Sequence, residues 1–398
     1  MISTPLQPET EDRFGAWVCG NRDVMARRPD TLSGLPIGVK DVIATRDYPT
    51  QCGTPLPQSV IRELLEVDEA ACVSDLKRAG AVVAGKTVTA ELATYQPGPT
   101  VNPWSVKRTP GGSSSGSAAA VAAGDVRLSL ATQTAGSTIR PASFCGLYGF
   151  KPSFGRYDLT GVLGTSPTLD TLGLMTDELS LIEAADAVLA GSDARRAGVA
   201  LSAPSRLVLY RSANWARLPQ EHQQRIDALA QRLVSKFSEY HEQDPVADLE
   251  ALIGHQQTVH AGELANALGW LVTDYEELVS DTFKRFVMQG RDCGRSTLDT
   301  SVRAIHRARN SAHEYIHPDA VWLTPAVTSV APPLKAGTGD PLFCRQWTAL
   351  GVPCLTVPLW RERLTGLPFG PQLIAARGAD RQLIEVGRMV MEQCGGGE

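Results

Sequence analysis

The chain has 398 residues, of which 43% are hydrophobic and 20% are charged, and its formal net charge is −5. This composition is ordinary for a globular protein with a large core, and its mixed charges show neither a basic stripe for nucleic acid nor a basic amphipathic stretch for a membrane surface. Residues 1–13 lack the apolar run of a secretory signal, no apolar run is long enough to span a membrane, and the eight cysteines lack CxxC spacing, so we expect reduced thiols in a cytoplasmic protein.

The first third of the chain alternates predicted strands and helices. Residues 35–43 predict a buried strand that leads into a loop, 69–79 a helix, and 81–84 the next strand. Residues 109–124 begin with glycines and serines and become rich in alanine, which predicts a tight loop before a helix. A short apolar run at 128–131 then enters a second glycine-containing turn. This alternation predicts an α/β fold.

The region 213–318 has a different character and predicts a helical insertion or lobe. It is rich in Gln, Glu, Arg and Leu at helical spacing, and it contains all seven histidines. Three of these, His306, His313 and His317, could share a helix face, but no further ligand completes a metal set. Strands are predicted again at 321–324, 354–358 and 371–375. We therefore predict a single domain, 1–398, whose sheet is interrupted by this lobe, with no metal site.

The segment 111–117 (GGSSSGS) is the first candidate functional feature. A flexible linker would have this composition, but here the segment leads directly into a predicted helix between two strands. Residues 112–116 also match the G-x-S-x-G nucleophile elbow, which would make Ser114 the nucleophile of an α/β-hydrolase esterase. The residues before the elbow, 102–110, contain two prolines and make a poor central strand, which disfavours this interpretation.

The segment 132–141 (TQTAGSTIRP) is the second candidate feature. Small residues before Ser137 allow consecutive backbone N–H groups to converge on one point, as an oxyanion hole requires. This pattern is weak alone, because many turns share it. Together with 111–117 and with Lys40, in the apolar segment 35–43, it becomes specific.

Residues 111–152 closely resemble the amidase signature, the block that defines that enzyme family, and residues 36–41 (PIGVKD) resemble the family's lysine motif. The resemblance covers most of the chain outside the lobe. Further matching segments are 85–91, 98–103, 169–173, 351–353 and 372–374. The version here is most similar to malonamidase-type members, because it shares the TQT at 132–134, an arginine three residues after Ser137, and TGDP at 338–341.

The resemblance implies a mixed central β-sheet flanked by helices on both faces. It implies an amidohydrolase that needs no cofactor, with Ser137 as nucleophile, Ser113 as proton relay after a cis peptide bond, and Lys40 as base. The implied oxyanion-hole residues are Thr134, Ala135 and Gly136, and the implied substrate-binding residues are Arg140, Gly112 and Ser114.

The lysine can act as a base only when it is neutral. Its reference pKa is about 10.4, so burial has to lower the pKa to near neutrality, a bias of about 4 kcal/mol against the charged form. The apolar neighbours of Lys40 in 35–43 predict such burial.

Arg140 bears most directly on the substrate. By resemblance it holds a substrate carboxylate, for which the forked guanidinium is suited; the alternative is a structural role, such as an ion pair with Asp170 or contacts with carbonyl groups. We expect a small amide substrate. The sequence leaves open both a homodimer and an assembly with a partner subunit. Two rival functions remain: a glutaminase-like subunit of an amidotransferase, and a catalytically silent binding protein on the same fold.

Overall fold

The computed structural model describes residues 12–191 and 203–394. Residues 1–11, where we predict no secretory signal, lie outside the described residues. Across the two described stretches, every helix is too short or too polar to cross a membrane.

The helices are α1 (Arg22–Met25), α2 (Gln58–Leu65), α3 (Ala71–Arg78), α4 (Ser115–Ala122), α5 (Ile139–Cys145), α6 (Leu179–Leu189), α7 (Gln220–Leu233), α8 (Ala247–Leu268), α9 (Leu271–Asp274), α10 (Asp281–Asp292), α11 (Arg295–Asn310), α12 (Ala312–Tyr315), α13 (Leu342–Leu350) and α14 (Asp380–Cys394). The strands are β1 (Trp17–Gly20), β2 (Pro36–Lys40), β3 (Val82–Thr87), β4 (Leu128–Gln133), β5 (Tyr148–Lys151), β6 (Thr171–Thr176), β7 (Arg206–Tyr210), β8 (Glu239–Gln243), β9 (Ala320–Pro325), β10 (Cys354–Thr356), β11 (Trp360–Arg361), β12 (Pro368–Phe369) and β13 (Pro371–Ala375). Short 3-10 helices lie at Glu91–Ala93, Trp215–Arg217, Val234–Lys236, Glu276–Leu278 and Leu334–Ala336.

One mixed sheet organises the described residues. Its strand order is β1-β3-β2-β4-β6-β5-β10-β13-β9-β7-β8, and β11 pairs with β12 in a separate ribbon. The pairs β2–β3, β2–β4, β7–β9 and β7–β8 are parallel, and the other pairs of the main sheet are antiparallel. With helices on both faces, this is the predicted α/β architecture.

The parallel pairing of β2 with β4 positions the candidate site. Val39 lies opposite Leu130, so the carboxyl end of β2 reaches the same edge of the sheet as the carboxyl end of β4. Lys40 ends β2, and the turn that contains Ser137 follows β4 directly. Since both strands are buried along their whole length, these two features meet inside the protein.

Two buried helices, α4 and α5, lie against this part of the sheet, and α4 consists of small residues. All of α5 and nearly all of α4 are buried, and α4 packs against β2, β4 and α5. A Cβ atom at Gly116 would lie 2.2 Å from the amide nitrogen of Val88, so only glycine permits this close approach. Gly116 is therefore a packing requirement of α4, and the alanines that follow it are buried in the same contact region.

The predicted strands at 35–43, 81–84, 128–131, 321–324, 354–358 and 371–375 and the predicted helix at 69–79 are confirmed, with ends shifted by a few residues. The region 213–318 is largely helical, but it also contains β8, an edge strand of the main sheet. The side chains of β8 are half-buried or exposed, so its sequence has no buried apolar face that would predict a strand. The single-domain interpretation of 1–398 stays a prediction.

Candidate active site

Lys40 is fully buried, as its apolar neighbours predict. Its Nζ atom lies 2.7 Å from Ser113 Oγ and 2.7 Å from Thr132 Oγ1, and it donates to both. Burial lowers the pKa of Lys40 from 10.5 to about 7, while the negative charge of Asp170 partly opposes this shift. A substantial neutral fraction therefore exists at neutral pH, which is the form that can accept a proton.

The loop before α4 holds Ser113 against Lys40. The peptide bond between Gly112 and Ser113 is cis, as the resemblance implies, and the carbonyl of Ser113 accepts from the N–H of Ala90. The neighbouring Ser114 hydroxyl donates to the Thr132 carbonyl and accepts from the Thr132 N–H, so it joins this loop to β4. Ser114 is therefore paired with backbone rather than with a histidine, which disfavours the esterase interpretation.

Side chains from other helices donate hydrogen bonds to two carbonyl groups of the turn after β4. The Thr134 carbonyl accepts from Gln256 Nε2 at 2.9 Å, and the Ala135 carbonyl accepts from Thr348 Oγ1 at 2.8 Å. By contrast, within the described chain the N–H groups of Ala135, Gly136 and Ser137 donate to no protein atom. Contiguous N–H groups without a protein acceptor are what an oxyanion hole needs.

Ser137 is half-buried at the end of this turn, and its hydroxyl makes no hydrogen bond with any described residue. Arg140 joins the loop before α4, which contains Gly112 and Ser113, to the Ser137 turn. Its Nη2 donates to the Gly112 carbonyl at 2.5 Å. The structure thus brings Lys40 and Ser113 into direct contact, and it joins their loop to the Ser137 turn through Arg140 and Gly112.

Gln133 is a structural support of the turn that the sequence does not reveal. Its Oε1 accepts from the N–H groups of Thr138 and Ile139 at 2.9 and 3.0 Å, and its Nε2 donates to Thr348 Oγ1 at 3.0 Å. It therefore satisfies two free N–H groups at the start of α5. Glutamine is not a favoured capping residue, so propensity gives no signal for this role.

We expect Gln133→Ala to lower the free energy of unfolding by about 1–3 kcal/mol, because it leaves buried N–H groups unpaired. Urea unfolding followed by circular dichroism measures the change. Gln224→Ala is the matched control, since Gln224 is exposed on α7. Equal unfolding midpoints for the two variants would contradict this role.

Asp170 is a second support that lies beside the base. It accepts from Thr134 Oγ1 at 2.6 Å, from the Thr165 N–H at 2.7 Å and from the Ser166 N–H at 2.8 Å, and it is the carboxylate whose charge acts on Lys40. These bonds engage Asp170 with residues other than Arg140, so the alternative of an Arg140–Asp170 ion pair is wrong. Asp170 instead links the Ser137 turn to the segment before β6.

Arg140 is buried, with 2% of its surface exposed, and has few partners. Besides the Gly112 carbonyl it contacts Thr338 Oγ1 at 3.3 Å, whereas its Nε and Nη1 atoms are buried without a hydrogen-bond partner in 12–191 or 203–394. Burial lowers the pKa of Arg140 to about 10, so it remains charged at neutral pH. Part of its donor capacity is therefore unused in the described structure.

Curated relatives share the signature region. The chain is 42% identical over 170 residues to a glutamyl-tRNA(Gln) amidotransferase subunit of Oleidesulfovibrio alaskensis, which is 41% of this chain and 34% of the relative. It is 38% identical over 191 residues to the corresponding subunit of Anaeromyxobacter sp. strain K, covering 46% and 38% of the two chains. The matches thus span between a third and two fifths of these relatives.

Solved structures share the fold over nearly the whole chain. A crystal structure of an amidase superposes with a TM-score of 0.82 at 27% identity, covering 96% of this chain and 92% of that one. The glutamyl-tRNA(Gln) amidotransferase subunit of Thermotoga maritima superposes with a TM-score of 0.78 at 21% identity, covering 95% and 87%, which supports the fold alone. The family model for Amidase matches residues 21–240. Because this match spans more than half of the 398 residues and contains Lys40, Ser113 and Ser137, the chain belongs to the Amidase family.

Proposed function

We propose that the protein is an amidase that hydrolyses the carbon–nitrogen bond of a small amide through an acyl-enzyme on Ser137. The observation that carries this proposal is the contact of the fully buried Lys40 with Ser113, next to a turn in which the N–H groups of 135–137 have no acceptor among the described residues. A serine hydroxyl is a weak nucleophile until a neighbouring group takes its proton, and Lys40 is the group available to do so.

In the first step, Ser137 Oγ attacks the amide carbonyl and its proton passes through Ser113 to neutral Lys40. The developing oxyanion accepts hydrogen bonds from N–H groups of the turn at Thr134, Ala135 and Gly136. Ser113 then returns a proton to the amine as the carbon–nitrogen bond breaks. Water, activated by the same pair, hydrolyses the acyl-enzyme and restores Ser137.

The substrate that fits Arg140 best is a small amide that also carries an acid group, such as the monoamide of a dicarboxylic acid. Nε and Nη1 of this guanidinium are buried and have no acceptor among the residues that the structure describes. A substrate carboxylate would supply the missing acceptors and compensate the charge. Gly112 and Ser114, whose polar groups are engaged by Arg140 and Thr132, stay predicted substrate contacts.

Ammonia release from malonamic acid and from butyramide tests this proposal. We expect wild type to prefer the acidic amide, and Arg140→Gln to reduce that preference by about tenfold or more, because a charge-assisted hydrogen bond is lost.

Arg309→Gln is the matched control, since Arg309 is also buried but donates to the carbonyls of Ala349 and Thr168. An unchanged preference in Arg140→Gln would return Arg140 to a structural role. Ammonia from neither amide would favour a different substrate or the silent binding protein.

The curated relatives favour a second candidate, a glutaminase-like subunit of an amidotransferase. This function predicts ammonia release from glutamine and co-purification with partner subunits. Ammonia release from malonamic acid by the isolated chain, with none from glutamine, would argue against it.

A further inference from the structure

A second buried arginine lies behind the Ser137 turn. Arg345 is on α13, and only 7% of its surface is exposed. Its Nη1 donates to Gln256 Oε1 at 2.5 Å and its Nη2 to the Tyr95 hydroxyl at 3.4 Å. Among the residues that the structure describes, no carboxylate lies within ion-pair distance of Arg345 or of Arg140.

Arg345 is tied to the turn through two neighbours. Gln256 accepts from Arg345 with its Oε1 and donates from Nε2 to the Thr134 carbonyl, so one amide group spans the arginine and the turn. The preceding residue, Cys344, packs so closely against the turn that a Cβ atom at Gly136 would lie 3.0 Å from its Cβ. The position of Arg345 is therefore fixed relative to the predicted oxyanion hole.

His260 is a second unpartnered polar group in the same region. It lies one helical turn after Gln256 on α8, and its exposed fraction is 4%. Both ring nitrogens lack a hydrogen-bond partner in the part of the chain that the structure describes. Its ring centroid is 4.9 Å from that of Phe286 and 6.0 Å from that of Tyr95, whose hydroxyl contacts Arg345. Burial, and then the charge of Arg345, lower the pKa of His260 to about 3, so it is neutral and keeps one ring N–H to donate.

The two guanidiniums concentrate positive charge beside the turn. Arg140 and Arg345 flank the same residue of the turn, since the Arg140 N–H donates to the Gly136 carbonyl at 3.0 Å and Cys344, which precedes Arg345, packs against Gly136. Burial lowers the pKa of Arg140, and the charge of Arg345 lowers it further. The carboxylate of Asp340 opposes this shift, and it is itself paired with Arg217 near the surface. Buried charges without a partner are costly, so a bound anion at this position would be strongly favoured.

We propose that Arg345 acts with Arg140 as a two-arginine subsite for the acid group of the substrate, with the neutral His260 as a further donor. This inference rests on the proposed function and refines it. Two guanidiniums from α5 and α13 discriminate a carboxylate from a neutral group more strongly than Arg140 alone. The link through Gln256 fixes the distance between the acid group and the amide carbonyl, so the subsite also selects the length of the substrate.

Binding of malonate, succinate and glutarate to Ser137→Ala, measured by calorimetry, tests the subsite without turnover. We expect one of the three to bind at least tenfold more tightly than acetate. Adding Arg345→Gln should weaken that binding about tenfold or more, whereas Arg345→Lys should retain part of it. Arg309→Gln, in the same background, should leave the affinity unchanged. Thermal unfolding of each variant establishes that it is folded.

The outcomes separate the subsite from the proposed function. Equal affinity in Ser137→Ala with and without Arg345→Gln, or no dicarboxylate that binds better than acetate, overturns the subsite. Dicarboxylate binding that depends on Arg345, with no ammonia released from any amide by wild type, supports the subsite and contradicts the amidase. In an active enzyme, Arg345→Gln should raise KM for malonamic acid much more than it lowers kcat. A fall in kcat alone would indicate a structural role and overturn the proposal.

Discussion

Replacing Ser137 by alanine should lower kcat for amide hydrolysis by at least about 10³-fold, because the proposed mechanism forms the acyl-enzyme on this hydroxyl. The hydroxyl of Ser137 has no hydrogen bond to lose with any described residue, so the unfolding midpoint should stay close to that of wild type. Ammonia release from malonamic acid measures the loss of turnover, and labelling with a fluorophosphonate probe measures the loss of the reactive serine.

Ser143→Ala is the matched control, since Ser143 is a buried serine of α5, the helix that follows the Ser137 turn, and its hydroxyl bonds with the backbone of Gly370. It should keep its activity and its probe labelling. If Ser114→Ala abolished labelling while Ser137→Ala retained it, the nucleophile would be the serine of the alternative elbow motif.

Replacing Lys40 by methionine should lower kcat by about 10²–10⁴-fold, the range expected for loss of a general base. The fold should not weaken. Below pH 10.5 the unfolded chain carries a protonated Lys40, whereas the folded chain resists protonation down to about pH 7. The free energy of unfolding of the wild type therefore rises with pH through this window. At pH 8 the substitution by methionine removes a destabilisation of about 3 kcal/mol, and the loss of the two hydrogen bonds of Lys40 opposes this gain.

The matched control is Lys151→Met, because Lys151 is equally buried but donates to the carbonyls of Pro152 and Val352. Its folded fraction should keep wild-type kcat. A comparable loss of kcat in both variants would show that any buried lysine of the sheet matters through folding, and would contradict a specific role for Lys40.

Lys40 should also set the pH dependence of kcat/KM. In wild type, kcat/KM should fall about tenfold for each pH unit below a midpoint near 7, because protonated Lys40 cannot accept a proton. A flat profile between pH 5 and 8 would exclude Lys40 as the base.

The local sequence was sufficient to predict the elements that carry the candidate site. The apolar segment 35–43 predicted both β2 and the burial of Lys40, and the change from glycine and serine to alanine in 109–124 predicted a loop followed by α4. These features depend on neighbouring residues, so periodicity and turn chemistry are enough to find them. The resemblance of 111–152 to the amidase signature then identified the family, which the match over 21–240 confirmed.

Only the tertiary structure shows which side chains hold the Ser137 turn in place. Gln133 contacts Thr348, Gln256 contacts both Thr134 and Arg345, and each of these pairs is far apart in the chain. Each side chain taken alone is an ordinary polar residue of a strand or helix. The packing of α8 against α13, and of both against the turn after β4, brings these side chains together, and such long-range contacts leave no periodic pattern in the sequence.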